Sequence, residues 1–170
     1  MKTIVCDASP LIFLAKLNRL DLVARVLCGE LFVLRCVVEE ILSESAGSIE
    51  RRRLVAFLES VEVIDFEVPD EQLGALSRSD RSTLAWAIEN QVNYLLADER
   101  LLRRVAVEEN IAVIGFLGLL LRSARQKILS VAEVRNDFNE CVAQHSCRIS
   151  IDLYQRLMSE LDLLADAEGP

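Results

Sequence analysis

Apolar residues fall into two alternating patterns along most of the chain. Residues 3–6 form a β-branched, apolar run without polar alternation, which is the pattern of a strand buried on both faces of a parallel sheet. Similar short runs predict further strands at residues 31–34, 61–66, 93–97 and 111–114.

Segments with the apolar spacing of helices separate these strands. The first begins at Ser9-Pro10, a pair typical of a helix N-cap and first helical position. Gly29 is expected to end the second helix, and Ser79 or Asp80 to begin the helix at residues 81–89. The pattern predicts helices at residues 20–27, 37–42, 51–58, 81–89, 99–109 and 117–125, with a short one at 69–76. This alternation predicts βαβ units and an α/β fold with a mostly parallel central sheet flanked by helices.

Two more helices are predicted after Lys127. Ser130 and Glu133 have the spacing of a capping box at the start of the first, and the second begins near Ser150. A chain of 170 residues fits the usual single-domain size of about 100 to 200 residues. We therefore predict an α/β domain over residues 1–127 and a C-terminal helical extension over residues 128–170, packed on or beside the same domain.

Composition indicates where the protein is located and which classes of partner it can bind. Asp7 comes too early for a signal peptide, no apolar run has the roughly 18 residues that a membrane span needs, and the five cysteines include no Cys-x-x-Cys pair. We therefore expect a cytoplasmic protein without a membrane partner. The net charge of −8 disfavours nucleic-acid binding through bulk positive charge, so such a partner would need bound metal or local arginines.

Four acidic residues occupy positions that matter in α/β folds. Asp7 and Asp98 each follow a predicted strand, and ligands of open parallel sheets bind outside the carboxyl ends of the strands. Glu40 and Asp80 lie near predicted helix starts that could face the same edge. Carboxylates brought together repel unless a cation lies between them, and oxygen ligands favour Mg²⁺ or Mn²⁺ over zinc.

The segments around these acids resemble the four acidic motifs of PIN-domain nucleases. They are IVCDASPLI (residues 4–12), VEEIL (38–42), SDRSTLA (79–85) and LLADE (95–99). Their order and spacing also match, over roughly residues 1–127, and the likeness is closest to toxin-like ribonucleases of the VapC type. The resemblance implies a three-layer α/β/α fold and hydrolysis of RNA phosphodiester bonds that leaves a 5′-phosphate and a 3′-hydroxyl.

The resemblance also assigns roles to individual residues. One or two Mg²⁺ or Mn²⁺ ions would be held by Asp7, Glu40, Asp80 and Asp98, with Glu99 as an additional acid. Ser9 would be a hydrogen-bonding residue near Asp7. Arg103 and Arg104, one turn beyond Asp98, are the predicted RNA contacts, although solvated helix faces also explain such arginines. The implied partners are RNA, an antitoxin that covers the cleft, and a second copy in a homodimer.

Some features support other interpretations. Each acid taken alone is also explained as a turn former, a helix cap or a first-turn acid. The family often has hydroxyl residues where this chain has Ala8 and Ala97, which together with the acidic surface suggests a catalytically silent PIN-like regulatory or RNA-binding module. Cys141, His145 and Cys147 lack an evident fourth ligand for a zinc site.

Overall fold

A computed structural model describes residues 1–44, 47–69, 75–145 and 147–167. The predicted short helix at residues 69–76 lies mostly outside these ranges.

The described residues contain a five-stranded sheet in which every neighbouring pair is parallel. The order across the sheet is β3-β2-β1-β4-β5. The strands are β1 Lys2–Cys6, β2 Gly29–Leu34, β3 Glu62–Ile64, β4 Tyr94–Leu96 and β5 Ala112–Ile114. The predicted α/β fold with a parallel central sheet is therefore confirmed.

Nine helices lie within the described ranges. They are α1 Ala8–Lys16, α2 Asp21–Leu27, α3 Arg35–Glu44, α4 Ser48–Leu58, α5 Arg78–Glu89, α6 Arg100–Glu108, α7 Phe116–Arg125, α8 Val131–Gln144 and α9 Ile151–Ala167. Helices separate the consecutive parallel strands along the chain, in the manner of βαβ units.

At the central strand, β1, the order in which strands join the sheet reverses. From β1 the chain moves to β2 and β3 on one side, and later to β4 and β5 on the other. In the register of β1 and β4, Cys6 lies opposite Leu96, and the Asp7 N–H extends the pairing by donating to the Leu96 carbonyl at 2.9 Å. Ligand sites of open α/β sheets lie at such a switch point, beyond the carboxyl ends of the strands.

Two helix starts differ from the prediction. Helix α1 begins at Ala8 with Asp7 in the N-cap position, not at Pro10 with Ser9 as the cap. Pro10 is still tolerated because the first-turn N–H groups of a helix have no intrahelical partner. Helix α5 begins at Arg78, and its N-cap is Ser77, whose hydroxyl accepts from the Asp80 N–H.

Gly29 has a different role from the predicted helix stop. The left-handed residue that ends α2 is Cys28, with φ of 54°. Gly29 instead opens β2, where a Cβ would lie 2.4 Å from the Lys2 carbonyl oxygen. Gly29 therefore permits close pairing of β2 with β1. Cys28, the residue before it, adopts the left-handed conformation that ends α2.

The core of the sheet is formed by strand residues with no solvent exposure. In β1 these are Ile4, Val5 and Cys6, and in β4 they are Leu95 and Leu96. Burial on both faces explains why these strands lack polar alternation.

The chain forms two compact units, Met1–Phe116 and Leu117–Pro170. The first contains the whole sheet. The predicted domain boundary after Lys127 stays a prediction. Within the described ranges, every helix is too short or too polar to span a bilayer.

The second unit is held by contacts of α9 with α7 and α8. Arg125 and Arg135 form ion pairs with α9 acids at 2.6 and 2.7 Å. The Tyr154 hydroxyl donates to Asn139 at 2.9 Å. The predicted capping box is confirmed, since the Ser130 hydroxyl accepts from the Glu133 N–H and the Glu133 carboxylate accepts from the Ser130 N–H.

Candidate functional site

Asp7 lies at the carboxyl end of the central strand and is almost completely buried, with 2% of its surface exposed. It occupies the N-cap position of α1, yet its side chain makes no capping hydrogen bond. One carboxylate oxygen, Oδ1, has no hydrogen-bond partner in the described part of the chain. Helix capping therefore does not account for this buried acid.

Asp80 and Glu40 lie near Asp7. The carboxyl groups of Asp80 and Glu40 are close enough to act on that of Asp7. Three acids, from the N-cap of α1, from α3 and from α5, therefore meet at this edge of the sheet.

A chain of hydroxyl groups connects Glu40 with Asp80. The Ser79 hydroxyl donates to Glu40 Oε2, and its oxygen lies 3.1 Å from the Ser77 hydroxyl oxygen. The Ser77 hydroxyl donates to Asp80 Oδ2 at 2.8 Å. We call Ser77 and Ser79 the serine bridge, because they link acids from two different helices, α3 and α5.

Burial and mutual repulsion favour protonation of these acids. The pKa of Asp7 is raised well above its usual range, first by burial and then by the charges of Asp80 and Glu40, while the Ala8 N–H partly offsets the rise. The pKa of Glu40 is also raised, mainly by burial, and the Ser79 hydroxyl counteracts part of that rise. Such a cluster gains stability from a cation that replaces the protons.

The backbone that follows β5 holds the Asp98 side chain at the end of β4. Its Oδ1 accepts from the Phe116 N–H at 3.0 Å, and its buried Oδ2 has no hydrogen-bond partner within the described ranges. Burial raises the pKa of Asp98 to about 6, although the Phe116 N–H and the Arg103 charge act in the opposite direction. A Cβ on Gly115 would lie 2.5 Å from Asp98 Oδ1 and 2.7 Å from Arg103 Nη1, so glycine leaves the space that both side chains use.

The other acids near the predicted motifs have surface contacts. Glu39 is exposed and lies 3.5 Å from Arg78, whereas its neighbour Glu40 contacts the buried Ser79. Glu99 is the N-cap of α6, and its carboxylate accepts from the Leu102 N–H at 2.6 Å. The assignment of Glu40 as a ligand and of Glu99 as an additional acid stays a prediction.

The remaining predicted residues occupy three different environments. Ser9 is half-buried in the first turn of α1, two residues after Asp7. Arg103 is half-buried, and its Nη1 donates to the Ala97 carbonyl at 2.8 Å. Arg104 is exposed. The structure thus separates an arginine turned toward Asp98 from one facing solvent, and contact of either with RNA stays a prediction.

The donor chemistry of this edge of the sheet suits a hard divalent cation. Asp7 and Asp98 follow neighbouring parallel strands, and each has a buried carboxylate oxygen without a hydrogen-bond partner within the described ranges. In the described part of the chain, no three His, Cys, Asp or Glu side chains form a ready-made metal-binding group. Cation binding therefore needs side-chain adjustment.

The serine bridge was not identified from the sequence. Ser79 opens the quoted segment SDRSTLA and Ser77 lies two residues before it, and a serine at such a position normally signals a helix cap, as Ser77 does here. The signal for the second role is a second hydroxyl two residues later, since one cap needs only one hydroxyl.

Comparison with protein families gave one match that spans most of the chain. The family model DUF3368, described as a PIN domain, matches residues 3–163. The matched range includes all four predicted acids and most of the second unit.

A solved structure also has a similar fold. It is a PilT N-terminus domain protein, SSO1118, from the hyperthermophilic archaeon Sulfolobus solfataricus P2, with a TM-score of 0.50 and 17% sequence identity. The similarity covers 71% of this chain and 92% of that one. At this level of identity the likeness concerns the fold alone. A comparison with curated proteins found no match.

Proposed function

This chain belongs to the DUF3368 family of PIN domains, and from that premise we propose that it is an endoribonuclease that depends on Mg²⁺ or Mn²⁺. PIN domains are generally nucleases, which supports phosphodiester hydrolysis as the type of reaction. The observation that carries the proposal is the buried Asp7 carboxylate, which lies beside Asp80 and Glu40 and has an oxygen without a hydrogen-bond partner in the described part of the chain.

The proposed ion ligands are Asp7, Glu40, Asp80 and Asp98. A divalent ion bound there supplies Lewis acidity, which activates water and stabilises charge on the phosphate oxygens. The Phe116 N–H orients Asp98 by holding its Oδ1, which leaves Oδ2 for a ligand. Burial of Asp7 limits competition from water for its carboxylate.

The acidic net charge of −8 requires local positive charge where RNA binds. We propose that the bound cation and two arginines provide it. Arg104 is exposed one turn beyond the site and can reach a phosphate of the substrate. The half-buried Arg103 lies closer to Asp98 and supplies positive charge near the carboxylates.

The proposal is tested by incubating single-stranded RNA with the purified protein in Mn²⁺, in Mg²⁺ and in EDTA. Cleavage is expected with either metal, with 5′-phosphate and 3′-hydroxyl ends, and none in EDTA. Asp7→Asn should lower the rate at least about 100-fold, because loss of a mere hydrogen-bonding partner of a metal ligand already costs about 10- to 100-fold and Asp7 is itself a proposed ligand. Asp166→Asn, at an exposed position in α9, is the matched control. Metal-independent cleavage, or full activity of Asp7→Asn, would contradict the proposal.

We further propose that the nuclease is the toxin of a toxin–antitoxin pair and acts as a homodimer in the cytoplasm. These partners follow from the resemblance of the acidic motifs to VapC-type ribonucleases. Growth arrest on expression of the wild-type chain, but not of Asp7→Asn, is the expected result for a toxin. Light scattering should give twice the 19.1 kDa mass of the chain. Normal growth would contradict the toxin role, and a monomeric mass would contradict the homodimer.

A catalytically silent PIN-like module is the second candidate. It is favoured by Ala8 and Ala97, which replace hydroxyl residues common in related nucleases, and by the missing ready-made ligand group in the described ranges. If the chain is a silent module, wild type and Asp7→Asn bind RNA with equal affinity and neither cleaves it. The same incubation therefore separates the two candidates.

A further inference from the structure

The serine bridge has features that helix capping does not require. Ser77 accepts from the Asp80 N–H and thereby caps α5, but Ser79 is inside the helix and has no capping role. Ser79 is 5% exposed, and its hydroxyl donates to the carboxylate of Glu40 on α3. A buried serine in a first helical turn that serves a carboxylate of another helix has a role beyond forming its own helix.

We propose that Ser79, together with Ser77, is a positioning residue that holds Glu40 and Asp80 as one preassembled half of the divalent-cation site. This inference rests on the proposed function, and it assigns roles to two residues that the family resemblance left without one. The second half of the site is Asp7, whose buried Oδ1 has no hydrogen-bond partner in the described part of the chain.

The proton count of the bridge supports this role. Each hydroxyl carries one proton, and each is directed to a carboxylate: Ser79 to Glu40 and Ser77 to Asp80. The two serine oxygens lie 3.1 Å apart, so these donors are neighbours at the start of one helix. Two like-charged groups are thus each stabilised by a hydroxyl donor on the same helix start, which lowers the cost of holding them close.

Glu40 needs such support more than the aspartates. A glutamate side chain has more rotatable bonds than an aspartate and loses more conformational entropy when it is fixed. Asp80 is fixed by Ser77 near its own backbone, whereas Glu40 has to extend from α3 toward α5. The Ser79 hydroxyl therefore fixes the most mobile of the proposed ligands before the cation arrives.

The chain provides a matched control for this hydroxyl. The exposed Ser43 also donates to Glu40, at 2.8 Å, but to its main-chain carbonyl and not to its carboxylate. It lines the same surface cavity as Ser79 and Glu40. Loss of either hydroxyl removes one hydrogen bond to Glu40, and only loss of the Ser79 hydroxyl releases the side chain.

The test measures Mn²⁺ affinity by titration calorimetry and RNA cleavage for four variants and wild type. Ser79→Ala is expected to weaken Mn²⁺ binding about 10- to 100-fold, as is typical when a hydrogen-bonding partner of a metal ligand is removed. Ser43→Ala should stay within about twofold of wild type. Because Ser79 acts through Glu40, Ser79→Ala should have no further effect in a Glu40→Ala background.

The outcomes separate this inference from the proposed function. If wild type binds Mn²⁺ without cleaving RNA and Ser79→Ala weakens binding, the nuclease proposal fails and the positioning role stands. If wild type cleaves RNA and Ser79→Ala binds Mn²⁺ normally, the positioning role alone is overturned. It is also overturned if Ser79→Ala lowers affinity equally with and without Glu40, since that indicates general damage to the fold, or if wild type binds no Mn²⁺.

Discussion

Replacing Asp98 by Asn is expected to stabilise the metal-free protein at neutral pH while removing a proposed ligand. Burial raises the pKa of Asp98 from 3.8 to about 6, so the folded protein binds this proton more tightly than the unfolded chain does. The stability that protonated Asp98 contributes is fully present below about pH 4 and is lost as the pH rises through 6. Asn is neutral throughout, and its Oδ1 can still accept from the Phe116 N–H.

The size of the effect follows from the shift in pKa. A change from 3.8 to about 6 corresponds to about 3 kcal/mol of unfolding free energy. The unfolding free energy of Asp98→Asn should therefore exceed that of wild type by up to about 3 kcal/mol at pH 8 and by less than about 1 kcal/mol at pH 4. A hundredfold excess of Mn²⁺ over its Kd should return about 2.7 kcal/mol to wild type and nearly abolish the difference.

The assay is urea unfolding in EDTA at pH 4, 6 and 8, followed by fluorescence of the single tryptophan, the buried Trp86. Asp166→Asn, the exposed control, should change stability by less than about 0.5 kcal/mol at each pH. The reasoning is refuted if Asp98→Asn is less stable than wild type at pH 8, or if its advantage does not depend on pH.

Three further predictions concern the same edge of the sheet and the second unit. Gly115→Ala should cost about 1 to 3 kcal/mol of stability and lower cleavage, because its Cβ would lie 2.5 Å from Asp98 Oδ1. Gly47→Ala, whose Cβ would be 3.6 Å from its nearest neighbour, should cost less than about 1 kcal/mol in the same urea titration, through loss of the glycine N-cap of α4 alone. Arg103→Gln should shift the acidic limb of the cleavage–pH profile upward, since burial already raises the Asp98 pKa and Arg103 partly offsets that rise; an unchanged limb would count against it. Ser130→Ala should lower stability by about 1 kcal/mol through loss of the capping box, and an unchanged unfolding curve would contradict this.

The sheet was predictable because its strands have a simple physical signature. Strands buried on both faces must be apolar at every position, and Ile4, Val5 and Cys6 meet that condition without exposure. Asp7 breaks the run where the strand leaves the sheet, so its position at the carboxyl edge could be inferred from chain order alone.

Local chemistry was less predictable because several residue types can perform the same role. Glycine is the usual residue for ending a helix, but here Cys28 adopts the left-handed conformation and Gly29 permits strand pairing instead. The role of Ser79 depends on a carboxylate 39 positions away along the chain, a distance over which no local pattern is informative. Likewise, the Phe116 N–H that holds Asp98 is a backbone group, which carries no sequence signal.

The most direct test of a divalent-cation site at the switch point is anomalous scattering from Mn²⁺-soaked crystals. We expect an ion in coordination contact with Asp7 and with at least one carboxylate of Glu40, Asp80 or Asp98. An anomalous map without a peak at Asp7 at saturating Mn²⁺, or with manganese bound only elsewhere on the surface, would contradict it.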